Sequence, residues 1–335
     1  MSSSGPRAVR LAARPHGLPT TSTWSVEGIA LDPLADGEFL VKVSHISVDP
    51  AMRGWLRDVP SYIEPVAVGD IMRANAIGQV VESRHAGFSV GDAVVGLFGV
   101  TEFAVSDGTG VTRAHLDVAD APTWLGALGM TGLTAHHGLA QVGQLRGGET
   151  VLISAAAGAV GSVAGQLAAA KGCRVIGLAA GEEKARWLRT IGFDEVIDYR
   201  DDDLAARIGA AAPEGVGIFF DNVGGAVLDA GLANLARGAR VVICGAISQY
   251  NEEGPVAGPS NYMALLVRRA RMQGFLVFDY PALDEAAMAD LVELYRSGRL
   301  IARETVIDGT VDDFGDTLLR LFDGRNTGKL VLKIS

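Results

Sequence analysis

Cysteine is nearly absent: Cys173 and Cys244 are the only two in 335 residues. Two thiols cannot build a disulfide framework or a four-cysteine zinc site, and they read as a pair of buried thiols in a reducing cytosol. Positive charge is also scarce. Twenty-nine Lys and Arg face 39 Asp and Glu, a net charge of −10, which repels phosphate backbones and argues against a nucleic-acid partner, although a local basic patch can still hold a small phosphate. No apolar run approaches about 18 residues, and the start carries Arg7, Arg10 and Arg14 without an apolar core of secretory length. The expectation is a cytoplasmic chain with no membrane partner. An acid-free start with Ser and Arg also fits a transit peptide, ranked lower because Val9-Arg-Leu-Ala-Ala-Arg14 runs directly into strand-like sequence.

Glycine is abundant instead, 43 residues against 12 prolines and with no Gly-X-Y period, which points to tight turns and close backbone approaches. The length fits two domains at about 150 residues each. Up to about residue 120, short β-branched runs such as Glu38–Ser44, Ile77–Val81 and Ala93–Phe98 are separated by turn signals, a mostly β texture. Beyond about 125, the apolar runs Thr150–Ser154, Arg174–Ala179, Gly217–Asp221 and Arg240–Cys244 alternate with alanine-rich, helix-length segments. That alternation predicts a doubly wound parallel sheet covered on both faces. Strand-like sequence returns at Arg303–Ile307 and Lys329–Lys333. The expected division is a discontinuous β domain over 1–125 and 300–335 and an α/β domain over 126–299, with ligand bound in a cleft between them.

The strongest motif is Thr150-Val-Leu-Ile-Ser-Ala-Ala-Ala-Gly158-Ala-Val-Gly161, a strand, a small-residue turn and a helix start. Ala156, Gly158 and Gly161 take the G-x-G-x-x-G spacing, with alanine in first place. Gly158 lets backbone N–H groups approach a pyrophosphate at the helix N-terminus, and Gly161 lets the helix pack on its strand. The following strand, Arg174–Ala179, completes the βαβ unit the fingerprint requires; a glycine-rich helix start without a ligand is the competing reading. An NAD site places an acid about 20 residues past the turn. Here that strand ends Leu178-Ala179-Ala180-Gly181, while Lys184 offers a cation and Tyr199 a hydroxyl for a 2′-phosphate. Glu182 and Glu183 count against this, and a solvated helix lysine is the alternative for Lys184. The missing acid favours NADPH over NADH.

Taken together, Met52-Arg53-Gly54-Trp55, Gly129-Met-Thr-Gly-Leu-Thr-Ala135, Ala155-Ala-Ala-Gly-Ala-Val-Gly-Ser162, Phe220-Asp-Asn-Val-Gly-Gly225, Ile243-Cys-Gly-Ala-Ile-Ser248 and Asn326-Thr-Gly-Lys329 resemble the zinc-independent medium-chain dehydrogenase/reductases. The likeness is greatest to the branch of prostaglandin reductases, plant alkenal double-bond reductases and bacterial curcumin reductases. The resemblance implies a GroES-like β domain plus a Rossmann domain, NADPH as cofactor, no metal, a homodimer, and reduction of the C=C bond of α,β-unsaturated ketones or aldehydes. It carries the pyrophosphate contacts onto Gly158, Ala159, Val160 and Gly161, and the 2′-phosphate contacts onto Lys184 and Tyr199. The rest of the dinucleotide falls to Asn222, to Cys244, Gly245, Ala246, Ile247, Ser248, Gln249 and Tyr250, to Phe275, Leu276 and Val277, and to Asn326, for which a plain turn residue is the equal alternative.

His136 and His137 are adjacent on a helix and point about 100° apart, too far to share one metal ion; they read as part of a helix linking the domains. The reaction the resemblance implies builds negative charge on a carbonyl oxygen, which a hydroxyl must stabilise before the α-carbon is protonated. Candidates are Tyr262, Tyr62 and Tyr250, each with an amphipathic packing role as the alternative. Two departures bear on this choice. Val267 stands where family members carry a tyrosine four residues before Arg-Met-x-x-Phe, and Asp49-Pro-Ala51-Met52 lacks the aromatic of Asp-Pro-Tyr-Met. Trp55, Tyr62 and Met130 are left to shape an apolar pocket for a bulky enone. An NADPH:quinone oxidoreductase and a non-catalytic NADPH-binding protein are the other readings.

Overall fold

The computed structural model describes residues 5–59 and 61–335. It divides into two compact units, Met1–Leu125 with Glu304–Ser335, and Gly126–Arg303.

The first unit is mostly strand. β1 (Arg7–Leu11) pairs with β2 (Trp24–Gly28). β3 (Phe39–Val48), the short helix α1 (Ala51–Trp55), β4 (Ala76–Ser83), β5 (Ala93–Gly96), β6 (Phe103–Ser106), β7 (Thr112–Arg113) and α2 (Ala121–Leu125) follow. β3 is antiparallel to both β4 and β6, and it runs four residues beyond the run that alternation marks. A register shift between Val43 and His45 is the reason. The bulge shifts the inward-facing phase by one residue, so Ile46 and Val48 are buried where strict period two from Phe39, Val41 and Val43 would place His45 and Ser47.

The second unit is built on β8 (Thr150–Ile153), β9 (Arg174–Leu178), β10 (Glu195–Ile197), β11 (Val216–Asp221), β12 (Leu235–Ile243) and β13 (Arg271–Gly274), paired in the order β10-β9-β8-β11-β12-β13 and parallel throughout. Counted within the unit this is 3-2-1-4-5-6, the doubly wound order. Its helices are α3 (Met130–His137), α4 (Ala159–Ala170), α5 (Glu182–Thr190), α6 (Leu204–Ala211), α7 (Gly225–Ala233), α8 (Met263–Arg268) and α9 (Asp284–Arg296). Val151, Leu152, Ile153, Val175, Ile176, Ile218, Phe219 and Phe220 are buried, as continuous apolar strands require when both sheet faces are covered. α6 is capped by Asp203, whose side chain accepts from Ala206 N–H at 3.0 Å. α5 carries Glu182 and Glu183 in its first turn and Arg189 in its last, matching its dipole.

The chain then returns to the first unit with β14 (Glu304–Gly309), α10 (Phe314–Leu319) and β15 (Lys329–Ile334). β15 is parallel to β14 and antiparallel to β3, which gives a seven-stranded sheet. Phe314, Leu330 and Leu332 join Phe39, Ile46 and Met52 in one core. α3 lies inside the second unit rather than serving as a connector. His137 Nε2 meets Asp284 Oδ1 at 2.8 Å, and His136 Nε2 meets Asp290 Oδ2 at 3.3 Å, so each imidazole turns to its own carboxylate on α9.

Small residues decide how α4 seats on the sheet. A Cβ at Gly165 would lie 2.0 Å from the Phe193 ring, and one at Gly177 on β9 would lie 2.8 Å from it. Phe193 fills the space that those two glycines leave, so overpacking is the failure mode. We expect Gly165→Ala to lower stability by about 1–3 kcal/mol, read as a fall in the urea midpoint at unchanged slope. An unchanged midpoint would show that the ring moves aside freely.

Candidate active site

Strand order reverses between β8 and β11, and a doubly wound sheet leaves its ligand crevice beyond the carboxyl ends of strands at such a point. Ser154 and Asp221 bridge it. Ser154 Oγ donates to Asp221 Oδ1 at 2.6 Å and accepts from Asn222 N–H at 2.8 Å, while Asn222 Nδ2 donates to the Ser154 carbonyl at 2.8 Å. The Asp221 carboxylate also accepts from the N–H groups of Val223 at 3.1 Å and Gly224 at 3.0 Å. Its backbone carbonyl takes Cys244 N–H at 2.8 Å and Gly245 N–H at 3.2 Å. One buried aspartate thus fastens three loops at the crevice. Burial raises its pKa, against the downward pull of Ser154 and the two N–H groups.

The loop after β8 is conformationally unusual. Ala155 has φ 47°, in the left-handed region, a few-per-cent event for a residue other than glycine. Gly158 then caps α4 in extended conformation with no side-chain hydrogen bond to the helix, and a Cβ at Gly161 would stand 2.4 Å from the Ala155 carbonyl. α4 therefore starts flush against the turn, with Ala159 and Val160 half-buried in its first turn. Its leading N–H groups have no side-chain cap, and their partial charge favours an anion. Ala156, in the place of the first fingerprint glycine, is buried and donates to the Leu178 carbonyl at 3.0 Å.

At the end of β9 the acids near Lys184 already have partners. Glu182 meets Arg189 and Glu183 meets Arg303, each at 3.3 Å. Asp198 accepts from Gly181 N–H at 3.0 Å and from Arg200 through Nε at 2.9 Å and Nη2 at 2.6 Å; Arg200 foremost holds its carboxyl well below the usual range. Lys184 is half-buried, and desolvation lowers its pKa despite the opposing Glu183 charge. Tyr199 beside this corner is exposed.

Beyond β12, residues 244–250 fold back onto 222–225. Ile247 N–H donates to Asn222 O and Ser248 N–H to Val223 O, both at 3.2 Å, Ser248 Oγ reaches Val223 O at 2.6 Å, and Gln249 N–H closes on Ala246 O at 2.8 Å. Tyr250 Oη accepts from Ala246 N–H at 3.2 Å, and a Cβ at Gly245 would lie 3.0 Å from that hydroxyl. Cys173 is buried as a residue, as expected. Cys244 keeps partial exposure as a residue because it sits just past the strand, although burial of its thiol, with Asp221 second, pushes the pKa to about 12. Phe275 meets Phe220 edge-on at 6.5 Å, Leu276 N–H is held by Asp279 at 2.8 Å, and Val277 opens a 3₁₀ turn. Met130 is half-buried at the start of α3. Tyr262, on the residue that caps α8, is 57% exposed and its hydroxyl makes no hydrogen bond among the described residues.

In the first unit Trp55 Nε1 donates to Tyr62 Oη at 3.0 Å, and the Arg73 guanidinium lies 5.6 Å over the indole. Arg73 also donates to the Glu64 carbonyl at 2.9 Å, which pins the loop bearing Tyr62. Asn326 Nδ2 donates to Gly328 O at 3.2 Å, a turn contact. The structure therefore gathers 222 and 244–250 around Asp221, sets 158–161 at the turn after β8, and pairs Trp55 with Tyr62. Ser154, Asp221 and Arg200 were not among the expected site residues; the one signal for Asp221 was its place inside Phe220-Asp-Asn-Val-Gly-Gly225.

Residues 7–114 match the family model described as the N-terminal domain of oxidoreductase, and residues 159–294 the one described as zinc-binding dehydrogenase. The NADPH-dependent curcumin reductase of Escherichia coli (strain K12) is 36% identical over 97% of this chain and 96% of its own length. Prostaglandin reductase 1 of Bos taurus is 36% identical, with 95% of each chain covered. The crystal structure of CurA in complex with NADPH from Vibrio vulnificus superposes with a TM-score of 0.92 at 38% identity, covering 98% of this chain and 99% of that one. The chain belongs to the medium-chain dehydrogenase/reductases. It is an oxidoreductase with the Rossmann and GroES-like pair of folds of that family. In this medium-chain dehydrogenase/reductase no three His, Cys, Asp or Glu side chains among the described residues gather to hold a metal ion.

The raised pKa of Asp221 has a definite sign in stability. The folded chain holds a proton that the unfolded chain, with an ordinary aspartate near pH 4, has already released, so stability falls as pH rises from about 4 through the folded-state value. Ser154→Ala removes a hydrogen bond that lowers that value. The variant should lose about 1–3 kcal/mol at neutral pH, with the fall continuing to higher pH than in the parent. Denaturant unfolding across a pH series checks this, and parallel profiles would refute it.

Proposed function

We propose that this oxidoreductase uses NADPH to reduce the C=C bond of α,β-unsaturated ketones or aldehydes. The observation that carries the reading is the N-terminus of α4, without a side-chain cap and placed where the strand order reverses, beside a corner whose three acids are each engaged by an arginine. A dinucleotide fits these residues. Gly158, Ala159, Val160 and Gly161 present backbone N–H groups to a pyrophosphate, and Asn222 with Cys244–Tyr250 forms the neighbouring wall. Half-buried Lys184, with Tyr199, receives the 2′-phosphate: a dianion there restores the charge that desolvation of the ammonium disfavours. Phe275, Leu276, Val277 and Asn326 complete the cofactor contacts in this reading. The relatives named for curcumin and prostaglandin reduction support the substrate class.

Bound NADPH supplies hydride for the β-carbon. The chain's own task is then to hold the carbonyl, stabilise its developing oxyanion with a hydroxyl and keep competing water away. Tyr62 suits the hydroxyl role because its oxygen already accepts from the Trp55 indole, which fixes the ring and leaves the phenolic proton to donate. It remains 49% exposed for a substrate to reach. Tyr250 is the second candidate, tied to its own loop through Ala246, and Tyr262 is the third. Trp55, hydrogen-bonded to Tyr62, gives the substrate side an apolar lining.

We also propose a homodimer. Among the described residues β13 pairs only with β12, its four residues are all exposed, and the exposed apolar Met263, Leu266 and Val267 lie just before it on α8. An open parallel-sheet edge beside an apolar helix calls for a covering strand.

NADPH oxidation with an enone should yield the saturated ketone; turnover of quinones without alkene reduction overturns the reading. Tyr62→Phe is expected to lower kcat about a hundredfold, with Tyr250→Phe and Tyr262→Phe nearer the parent; full activity of Tyr62→Phe removes it as donor. Lys184→Ala should raise the KM for NADPH at least tenfold, about the loss of one charged hydrogen bond, while leaving NADH nearly unchanged. Light scattering should give twice the chain mass, reduced to one by Met272→Lys.

A further inference from the structure

Asp49 and Lys329 form a buried ion pair that the reaction does not use. Lys329 is 3% exposed, and its Nζ donates to Asp49 Oδ1 at 2.6 Å and to the Val48 carbonyl at 2.9 Å. Ser47 Oγ donates to the other Asp49 oxygen. Two buried charges are a poor way to hold strands together, because their desolvation offsets most of their attraction and an apolar pair of the same shape does as well. The strands do not need it: β15 is already laddered to β3 from Leu330, opposite Val48, to Lys333, opposite His45.

What the pair joins lies at the end of that ladder. Asp49 follows β3 and its carbonyl accepts Met52 N–H at 3.1 Å, the contact that turns the chain into α1 and so aims Trp55. Lys329 follows Asn326-Thr-Gly328. Thr327 of that loop is held from β14, where Thr305 Oγ1 donates to Thr327 O at 2.8 Å and accepts Thr327 N–H at 3.1 Å. The loop is thus tied to β14 by its middle residue and to the entrance of α1 by its end. Lysine suits the second tie. Its long stem spans from one loop to the other, and three donors let it hold a carboxylate and a carbonyl at once.

We infer that Lys329 is a positioning residue: through Asp49 and the Val48 carbonyl it sets the Asn326 loop in register with the segment that carries Trp55. The inference rests on the proposed function in assigning Asn326 to the cofactor and Trp55 to the substrate.

The test compares Lys329→Met with the double variant Asp49→Asn/Lys329→Met in the full-length protein. The single change strands a buried carboxylate and should lower the melting temperature; the double change removes both charges and should recover most of it. A positioning role separates the two readouts. In both variants the amides of 324–328 should exchange with deuterium faster in cofactor-free protein, NADPH measured by fluorescence should bind roughly ten- to a hundredfold more weakly, and KM for NADPH should rise more than kcat falls. Parent-like exchange and NADPH affinity in the thermally recovered double variant would overturn the inference and leave a purely structural pair. A parent chain that binds NADPH but reduces no enone would instead sink the proposed reaction, while exchange and affinity still judge Lys329.

Discussion

The hydrogen bond from Ser154 to Asp221 joins the first and fourth strands of the parallel sheet at the one place where their ends separate. Chain leaving β8 must run one way and chain leaving β11 the other, so the ladder between them ends where Ser154 N–H donates to the Phe220 carbonyl at 3.1 Å. A hydroxyl and a carboxylate take its place. Because the carboxylate also gathers Val223, Gly224 and, through its carbonyl, Cys244 and Gly245, the walls of the crevice share one anchor. The energetic cost is visible in the aspartate itself, whose burial opposes its charge. A site of backbone groups and small residues needs such an anchor, since glycines and alanines cannot hold one another by side-chain packing.

The corner at the end of β9 handles charge in a similar way. The chain is acidic overall, and two glutamates and an aspartate crowd the beginning of α5. Each has an arginine partner, so the local field near Lys184 is less negative than the composition implies. Net charge and pocket charge are separate quantities here, because ion pairing acts over a few ångströms and the net charge over the screening length.

Much of this was legible in the residues. The glycine turn, the alternation of apolar strands with alanine-rich helices and the missing acid after β9 are local patterns, and local patterns survive translation into structure. Ser154 and Asp221 were not legible as a pair. They stand 67 residues apart, and only the sheet order, in which β8 meets β11 rather than β10, brings them together. Asp49 and Lys329, 280 residues apart, are harder still: Asp49 stood only inside Asp-Pro-Ala-Met and Lys329 at the start of a strand-like run. The length of β3 was underestimated because a bulge changes which residues face inward, and alternation cannot anticipate a register shift that the partner strand imposes.

The return of the chain has a consequence for how the protein is made. β3 leaves the ribosome well before its neighbour β15, since Val48 and Lys329 are 281 positions apart. The whole parallel sheet lies between them in the chain, and its strands need no partner outside 150–274. The nascent chain can thus complete its middle before its beginning, reversing the usual N-terminal-first order. Until β15 is made, the His45–Val48 stretch of β3 lacks a partner of the kind that β6 gives to Phe39–Lys42, and a chain interrupted before Lys329 leaves a finished parallel sheet attached to an open, aggregation-prone one.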